Sequence, residues 1–104
     1  MDYNYLSKKH YEKYKTLINS NITRSFFNNF ISRVLNDNHI IIVLEDNDEN
    51  IIGTGTVLIE EKLTYGGCKM GHIENIFIAE KYRNNGYGEK IVKKLLKVCY
   101  NKKC

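Results

Sequence analysis

Three β-forming segments follow one another between residues 40 and 79, separated only by short turn clusters, and this succession leaves the chain few ways to fold. Residues 40–45 are an unbroken apolar run closed by Glu45, the pattern of a central strand. Residues 51–62 form a second, β-branched strand interrupted by Gly53 and Gly55. Glycines inside a strand mark either a close approach by another element or a bulge. Residues 71–79 form the third strand, after a turn at residues 65–69. Strands in sequence with such short connections are antiparallel neighbours.

Helices flank this meander. Residues 3–6 are a short first strand and residues 9–18 a helix. Phe26, Phe27, Phe30, Ile31, Val34 and Leu35 recur at the spacing of a buried helical stripe, with Thr23 as N-cap. After a polar loop at residues 80–85 a last helix buries Ile91, Val92, Leu95, Leu96 and Cys99 and wets Lys90, Lys93, Lys94 and Lys97. At 104 residues this is a single domain, 1–104, of α/β (α+β) class.

Composition excludes several classes. The longest apolar run is far too short to span a membrane, and no secretory signal follows Met1. Asn, Lys and Ile occur 13 times each, the imprint of an AT-rich coding sequence. The net charge of +4 therefore reads as lysines spread over a solvated surface, and no nucleic-acid motif appears. Cys68, Cys99 and Cys104 lack paired metal spacing, so no metal is expected. They read as reduced thiols of a cytoplasmic protein, Cys99 in the core and Cys68 and Cys104 in flexible segments. His10 and His39 carry no signal.

The chemistry lies in Arg83-Asn84-Asn85-Gly86-Tyr87-Gly88, an R-x-x-G-x-G pattern between a strand and a helix. Backbone N–H groups at a helix N-terminus lack internal partners and carry the positive end of the dipole. Glycines there let a phosphate approach, and Arg83 adds charge. No Gly-Lys-Ser/Thr follows, so this is not a P-loop, and the preceding meander is not a βαβ unit. By itself the pattern is a phosphate cradle or an ordinary turn.

In this context it resembles the GNAT acetyltransferase superfamily. The resemblance narrows at residues 51–62, and at Gly71-His72-Ile73-Glu74-Asn75-Ile76, to the eukaryotic-type glucosamine 6-phosphate N-acetyltransferases, which usually read Gly-His-Ile-Glu-Asp-Ile there. It implies a GNAT-like fold and acetyl transfer from acetyl-CoA, as co-substrate, to the amine of glucosamine 6-phosphate on the route to UDP-N-acetylglucosamine. By position it implies that Lys62, Leu63, Thr64 and Tyr65 meet the sugar phosphate, and that Glu74, Asn75 and Ile76 surround the sugar and its amine. The backbone of Ile76, Phe77 and Ile78 runs beside acetyl-CoA. Asn84, Asn85, Gly86, Tyr87, Gly88 and Glu89, with Arg83, cradle its phosphates. Glu74 is the candidate to orient or deprotonate the amine, against an ordinary strand carboxylate. His72 reads as a packed, hydrogen-bonded residue.

The chain departs from the family pattern in three ways. Asn75 stands for the usual aspartate, and the loop at residues 19–22 is short where the family places a sugar contact. The family also continues past the position of Cys104 into a C-terminal third, with a strand beside residues 71–79, an Asn-x-x-Phe-Tyr helix and strands used in homodimerisation. The domain is therefore expected to be truncated, with residues 71–79 as an open edge and little turnover by the isolated chain. Two other readings stand beside this one: a GNAT enzyme of another primary amine, and a non-catalytic CoA-binding remnant.

Overall fold

The computed structural model describes residues 1–103; the reading of Cys104 falls outside them. In chain order the elements are β1 (Asp2–Tyr5), a 3-10 turn (Lys8–His10), α1 (Tyr11–Ile18), α2 (Arg24–Arg33), β2 (His39–Glu45), β3 (Ile51–Lys62) and β4 (Cys68–Ile78). A second 3-10 turn (Glu80–Tyr82) then leads into α3 (Tyr87–Asn101). The strands form one antiparallel sheet in the order β1-β2-β3-β4. The three expected meander strands are present as neighbours, with β4 starting three residues before the expected position.

The apolar run of β2 is explained by burial on both faces. Ile40, Ile42 and Leu44 join Ile52, Val57, Ile59 and, from α3, Ile91, Leu95 and Cys99 in one core. Ile41 and Val43 point the other way and pack with Leu6, Tyr11, Tyr14, Phe27 and Ile51 beneath α1 and α2. This is the two-residue period of a strand with a helical layer on each side.

The strand glycines serve both of their possible purposes. A Cβ on Gly55 would lie 2.7 Å from Ile91 Cγ2 and 2.8 Å from Leu95 Cδ1, and one on Gly53 would lie 2.8 Å from Ile91 Cδ1. Helix α3 thus lies directly on the bare backbone of β3. A bulge sits at the same place: Thr54 pairs with Phe77 and Thr56 with Glu74, so Gly55 faces one residue too many on β4. Asn75 takes up the extra residue in the left-handed region, at φ 54.

Helix faces are narrower than the sequence implies. Phe27 is buried and Phe30 and Ile31 are half-buried, but Phe26 is 62% exposed and Val34 lies exposed beyond the end of α2. Successive helical residues point about 100° apart, so one face cannot bury both Phe26 and Phe27. In α3 the buried line is Ile91, Leu95 and Cys99; Val92 is half-buried and Leu96 exposed for the same reason. Thr23 does cap α2, its Oγ1 accepting the Phe26 N–H at 3.1 Å. Cys68 is held in β4 rather than in a flexible turn. Among the described residues no helix is long and apolar enough to cross a membrane.

Candidate active site

Strand β4 carries the centre of the candidate site, because the bulge re-aims its side chains. Ile73, Ile76 and Ile78 all pack towards the α3 core. Ile73 and Ile76 are three apart, and a regular strand would put them on opposite faces. The intervening pair, Glu74 and Asn75, is turned together to the other face, at the mouth of a cavity beneath α1 and α2. Glu74 is exposed and pairs across the sheet with Thr56. Strand β4 is an edge of the sheet over the described residues, so the outer side of its backbone has no strand neighbour, and at Ile78 the outer carbonyl is taken by the Arg83 side chain.

At the end of β4 the chain turns sharply into α3. Gly86, the N-cap, has φ 79, and Asn84 has φ 65, both in the left-handed region that glycine and asparagine tolerate. The N-cap of this 15-residue helix, Gly86, has no side chain to cap it, and among the described residues no side chain accepts from its first N–H groups. A Cβ built on Gly86 meets nothing within 4 Å, which leaves open space over those donors. Arg83 is tied to the strand end, its Nε donating to the Ile78 carbonyl at 3.0 Å. Asn85 Nδ2 donates to the Arg83 carbonyl at 3.0 Å and shapes the same turn. Tyr87 packs edge-on against Tyr82, and Glu89 pairs with Lys93 at 3.1 Å. A concave cleft of about 580 Å³ adjoins this corner, lined by Lys13, Ile78, Ala79 and Arg83 among others. Uncapped donors, an open approach and a nearby guanidinium suit a pyrophosphate, so these residues fit the phosphates of a CoA-type ligand.

The expected sugar-phosphate segment lies elsewhere. Lys62 pairs with Cys68, whereas Glu74 pairs with Thr56. Six residues of strand separate the two positions on β3, about 20 Å. Lys62 and Glu74 are therefore not brought together within one chain. Lys62 Nζ sits 3.2 Å from Glu60 Oε1, and His72 Nε2 approaches the same oxygen at 3.3 Å. Hydrogen bonding from Lys62 first, then from His72, holds the Glu60 carboxyl below the usual range. His72 is hydrogen-bonded as expected but half-exposed rather than packed, because it lies on the edge strand. Leu63 and Tyr65 stand out at the hairpin tip, 98% and 95% exposed, with Thr64 between them.

Two features escaped the sequence reading. The cavity beside Glu74 depends on the bulge, and only the unusual Gly55 hinted at it. His10 is buried against Glu45, at 3.3 Å. The signal for it was Glu45 itself, a carboxylate closing a strand buried on both faces and therefore in need of a partner. Among the described residues no cluster of three or more His, Cys, Asp or Glu can hold a metal.

The profile of the Acetyltransferase (GNAT) family matches residues 4–104. The glucosamine 6-phosphate N-acetyltransferase of Trypanosoma brucei brucei is 33% identical over 54 residues, covering 52% of this chain and 37% of that protein. The corresponding Arabidopsis thaliana enzyme is 34% identical over 60 residues, covering 58% of this chain and 40% of that one. These curated relatives are thus matched over well under half of their length. The crystal structure of glucosamine-6-phosphate N-acetyltransferase from Arabidopsis thaliana superposes with a TM-score of 0.90 at 27% identity, over 99% of this chain and 76% of that one. A structure from Bacillus halodurans C-125, described as a transcriptional regulator, has a TM-score of 0.84 at 18% identity and speaks for the fold alone. The α+β sheet with its three helices is the GNAT-like fold the sequence predicts, and the chain belongs to the acetyltransferase (GNAT) family.

Proposed function

We propose that this domain serves the transfer of an acetyl group from acetyl-CoA to the amine of glucosamine 6-phosphate. The observation that carries the reading is the continuity of one edge: Glu74, then the outer side of β4 at Ile76–Ile78, where no strand pairs and Arg83 holds the Ile78 carbonyl, then the start of α3 at Gly86. The similarity to glucosamine 6-phosphate N-acetyltransferases at the sequence level supports the acceptor.

Acetyl-CoA supplies an activated acyl group as a thioester. The chain's own residues do the rest. N–H groups of Tyr87, Gly88 and Glu89 take the phosphates, with Arg83, Asn84 and Asn85 shaping the approach. The outer backbone groups along Ile76, Phe77 and Ile78 that Arg83 does not occupy align the extended arm by strand-like hydrogen bonds. Glu74, exposed and on the cavity side of the bulge, accepts a proton from the acceptor's ammonium group, directly or through water. Asn75 beside it adds a neutral donor and acceptor rather than a second charge.

Lys62 fits this scheme only between two copies. A hexosamine phosphate is far shorter than the 20 Å or so that separate Lys62 from Glu74 in one chain. The Lys62, Leu63, Thr64 and Tyr65 hairpin of one copy therefore meets the phosphate of a sugar held at Glu74, Asn75 and Ile76 of another. The exposed Leu63 and Tyr65 supply apolar surface for that pairing. Thiol release from acetyl-CoA with glucosamine 6-phosphate, compared with unphosphorylated glucosamine, tests the reading. The phosphorylated sugar is the better acceptor, and Lys62→Ala removes its advantage without changing coenzyme affinity. Equal rates on both sugars contradict the assignment.

A further inference from the structure

The positive charge is not spread evenly over the surface, as composition alone implies. Residues 87–103 hold six lysines and one carboxylate, Glu89, a net charge of +5, whereas the whole chain carries +4. The rest of the chain is therefore slightly acidic, and the charge belongs to α3 and its end. Ile91, Leu95 and Cys99 hold the inner face of α3 in the core, which leaves its lysines the flanks and the outer face. Lys94 lies on the flank towards β1, its Nζ 5.6 Å from the centre of the Tyr3 ring. Lys90 sits over the Tyr87 ring in the first turn.

Further along, Lys93, Leu96, Lys97 and Tyr100 are linked by steps of three and four residues, so they form one patch on the side away from the sheet. All four are exposed, Leu96 by 54% and Tyr100 by 82%. Lys93 meets Glu89 at 3.1 Å, but both side chains face water, which screens the pair. Lys97 has no ion-pair partner among the described residues. Lysine heads alone suit any polyanion. The leucine and the tyrosine narrow the partner, because hydrocarbon leaves water favourably at a lipid headgroup boundary and a phenol sits there with its hydroxyl wet. Nucleic acid is met better by arginine, whose planar fork matches phosphate, and α3 has none.

We propose that the outer face of α3 docks on an anionic phospholipid surface, with Lys93 and Lys97 at the headgroups and Leu96 and Tyr100 entering the interfacial layer. The contact is peripheral: two apolar side chains bury little area, and the lysines supply the rest of the attraction. Leu96 lies about 15 Å along the helix from Gly86, so the patch is distinct from the phosphate cradle at the helix start.

Co-sedimentation of the intact chain with vesicles tests it, with phosphatidylcholine alone and with an equimolar mixture of phosphatidylcholine and phosphatidylserine. The expected result is saturable, salt-sensitive binding to the mixed vesicles and none to the neutral ones. Lys93→Gln with Lys97→Gln weakens that binding by about tenfold or more. Lys8→Gln with Lys9→Gln removes the same charge from the turn before α1 and leaves the binding within about twofold. Leu96→Ser with Tyr100→Ser changes no charge and still weakens it by about threefold or more. All six positions are exposed, so each variant keeps the amide spectrum of the folded chain. Absence of binding to the mixed vesicles, equal binding to both kinds, or equal losses from the two lysine pairs overturns the proposal. Indifference to Leu96→Ser with Tyr100→Ser also overturns it. A complex with a short DNA duplex that depends on Lys93 and Lys97, in a chain that leaves the mixed vesicles unbound, assigns the face to nucleic acid instead.

Discussion

His10 Nε2 lies 3.3 Å from Glu45 Oε1, with side-chain exposures of only 3% and 6%, and this contact ties the first helical segment to β2. The Ser7 N–H donates to His10 Nδ1 at 2.9 Å, which makes Nδ1 an acceptor and leaves Nε2 to donate to the carboxylate. Asn4 Nδ2 donates to the same oxygen at 2.8 Å. A carboxylate buried at the end of a strand is thus satisfied from β1 and from the turn before α1.

Replacing His10 by Ala should destabilise the fold by about 2–3 kcal/mol, because the buried Glu45 side chain loses a hydrogen-bond donor. Glu45→Gln should cost less, since the amide oxygen still accepts from His10 and Asn4. Denaturant unfolding of the two variants checks the order. Equal losses would mean that the charge on Glu45, rather than its hydrogen bonding, holds the segment.

Gly55→Ala should destabilise by about 1–3 kcal/mol through overpacking, since its Cβ would fall 2.7 Å from Ile91 and 2.8 Å from Leu95, both fully buried. Gly66→Ala is the control. Its φ of 76 makes alanine strained there, by about 1–2 kcal/mol, but nothing lies within 4 Å of the new carbon. Only Gly55→Ala should perturb the methyl resonances of Ile91 and Leu95.

The β2–β3 turn should show an acid limb in its stability. Asp46 accepts backbone N–H bonds from Asn50 at 2.9 Å and Asp48 at 2.8 Å. Hydrogen bonding from the Asn50 N–H is the leading cause that lowers its carboxyl pKa from the ordinary value. A depressed native pKa contributes stability above the unfolded pKa of about 3.9 and loses it as the pH falls through the native value. Carbon-detected NMR titration should place the Asp46 midpoint below that of a free aspartate. Asp46→Ala should remove this part of the acid limb.

Much of the architecture was legible because patterning and propensity agree. The β2 run, the β-branched β3 and the Thr23 cap each have a local cause that tertiary structure reinforces. Residues 51–62 form β3 as expected, because turn clusters bound that strand on both sides. What stayed hidden depends on relations between distant elements. Phe26 and Val34 look like core residues until the sheet occupies only one side of α2. The partnership of His10 and Glu45 spans 35 residues and has no local spacing to betray it. The turn of residues 83–88 into α3 was readable because its glycines and arginine lie close together in sequence, whereas the orientation of Glu74 depends on a bulge beside the α3 packing.

The most direct test of the account is where coenzyme A binds. Titrating coenzyme A into the isotope-labelled chain should shift the amides of Gly86, Tyr87, Gly88 and Glu89 first, together with those of Ile76–Ile78 on the outer side of β4. Gly86→Val, which places a branched side chain over the uncapped donors at a φ of 79, should weaken the affinity by about tenfold or more while the remaining spectrum stays folded. Saturable shifts confined to any other surface, or an affinity unchanged by Gly86→Val, would contradict the assignment of the α3 N-terminus as the phosphate site.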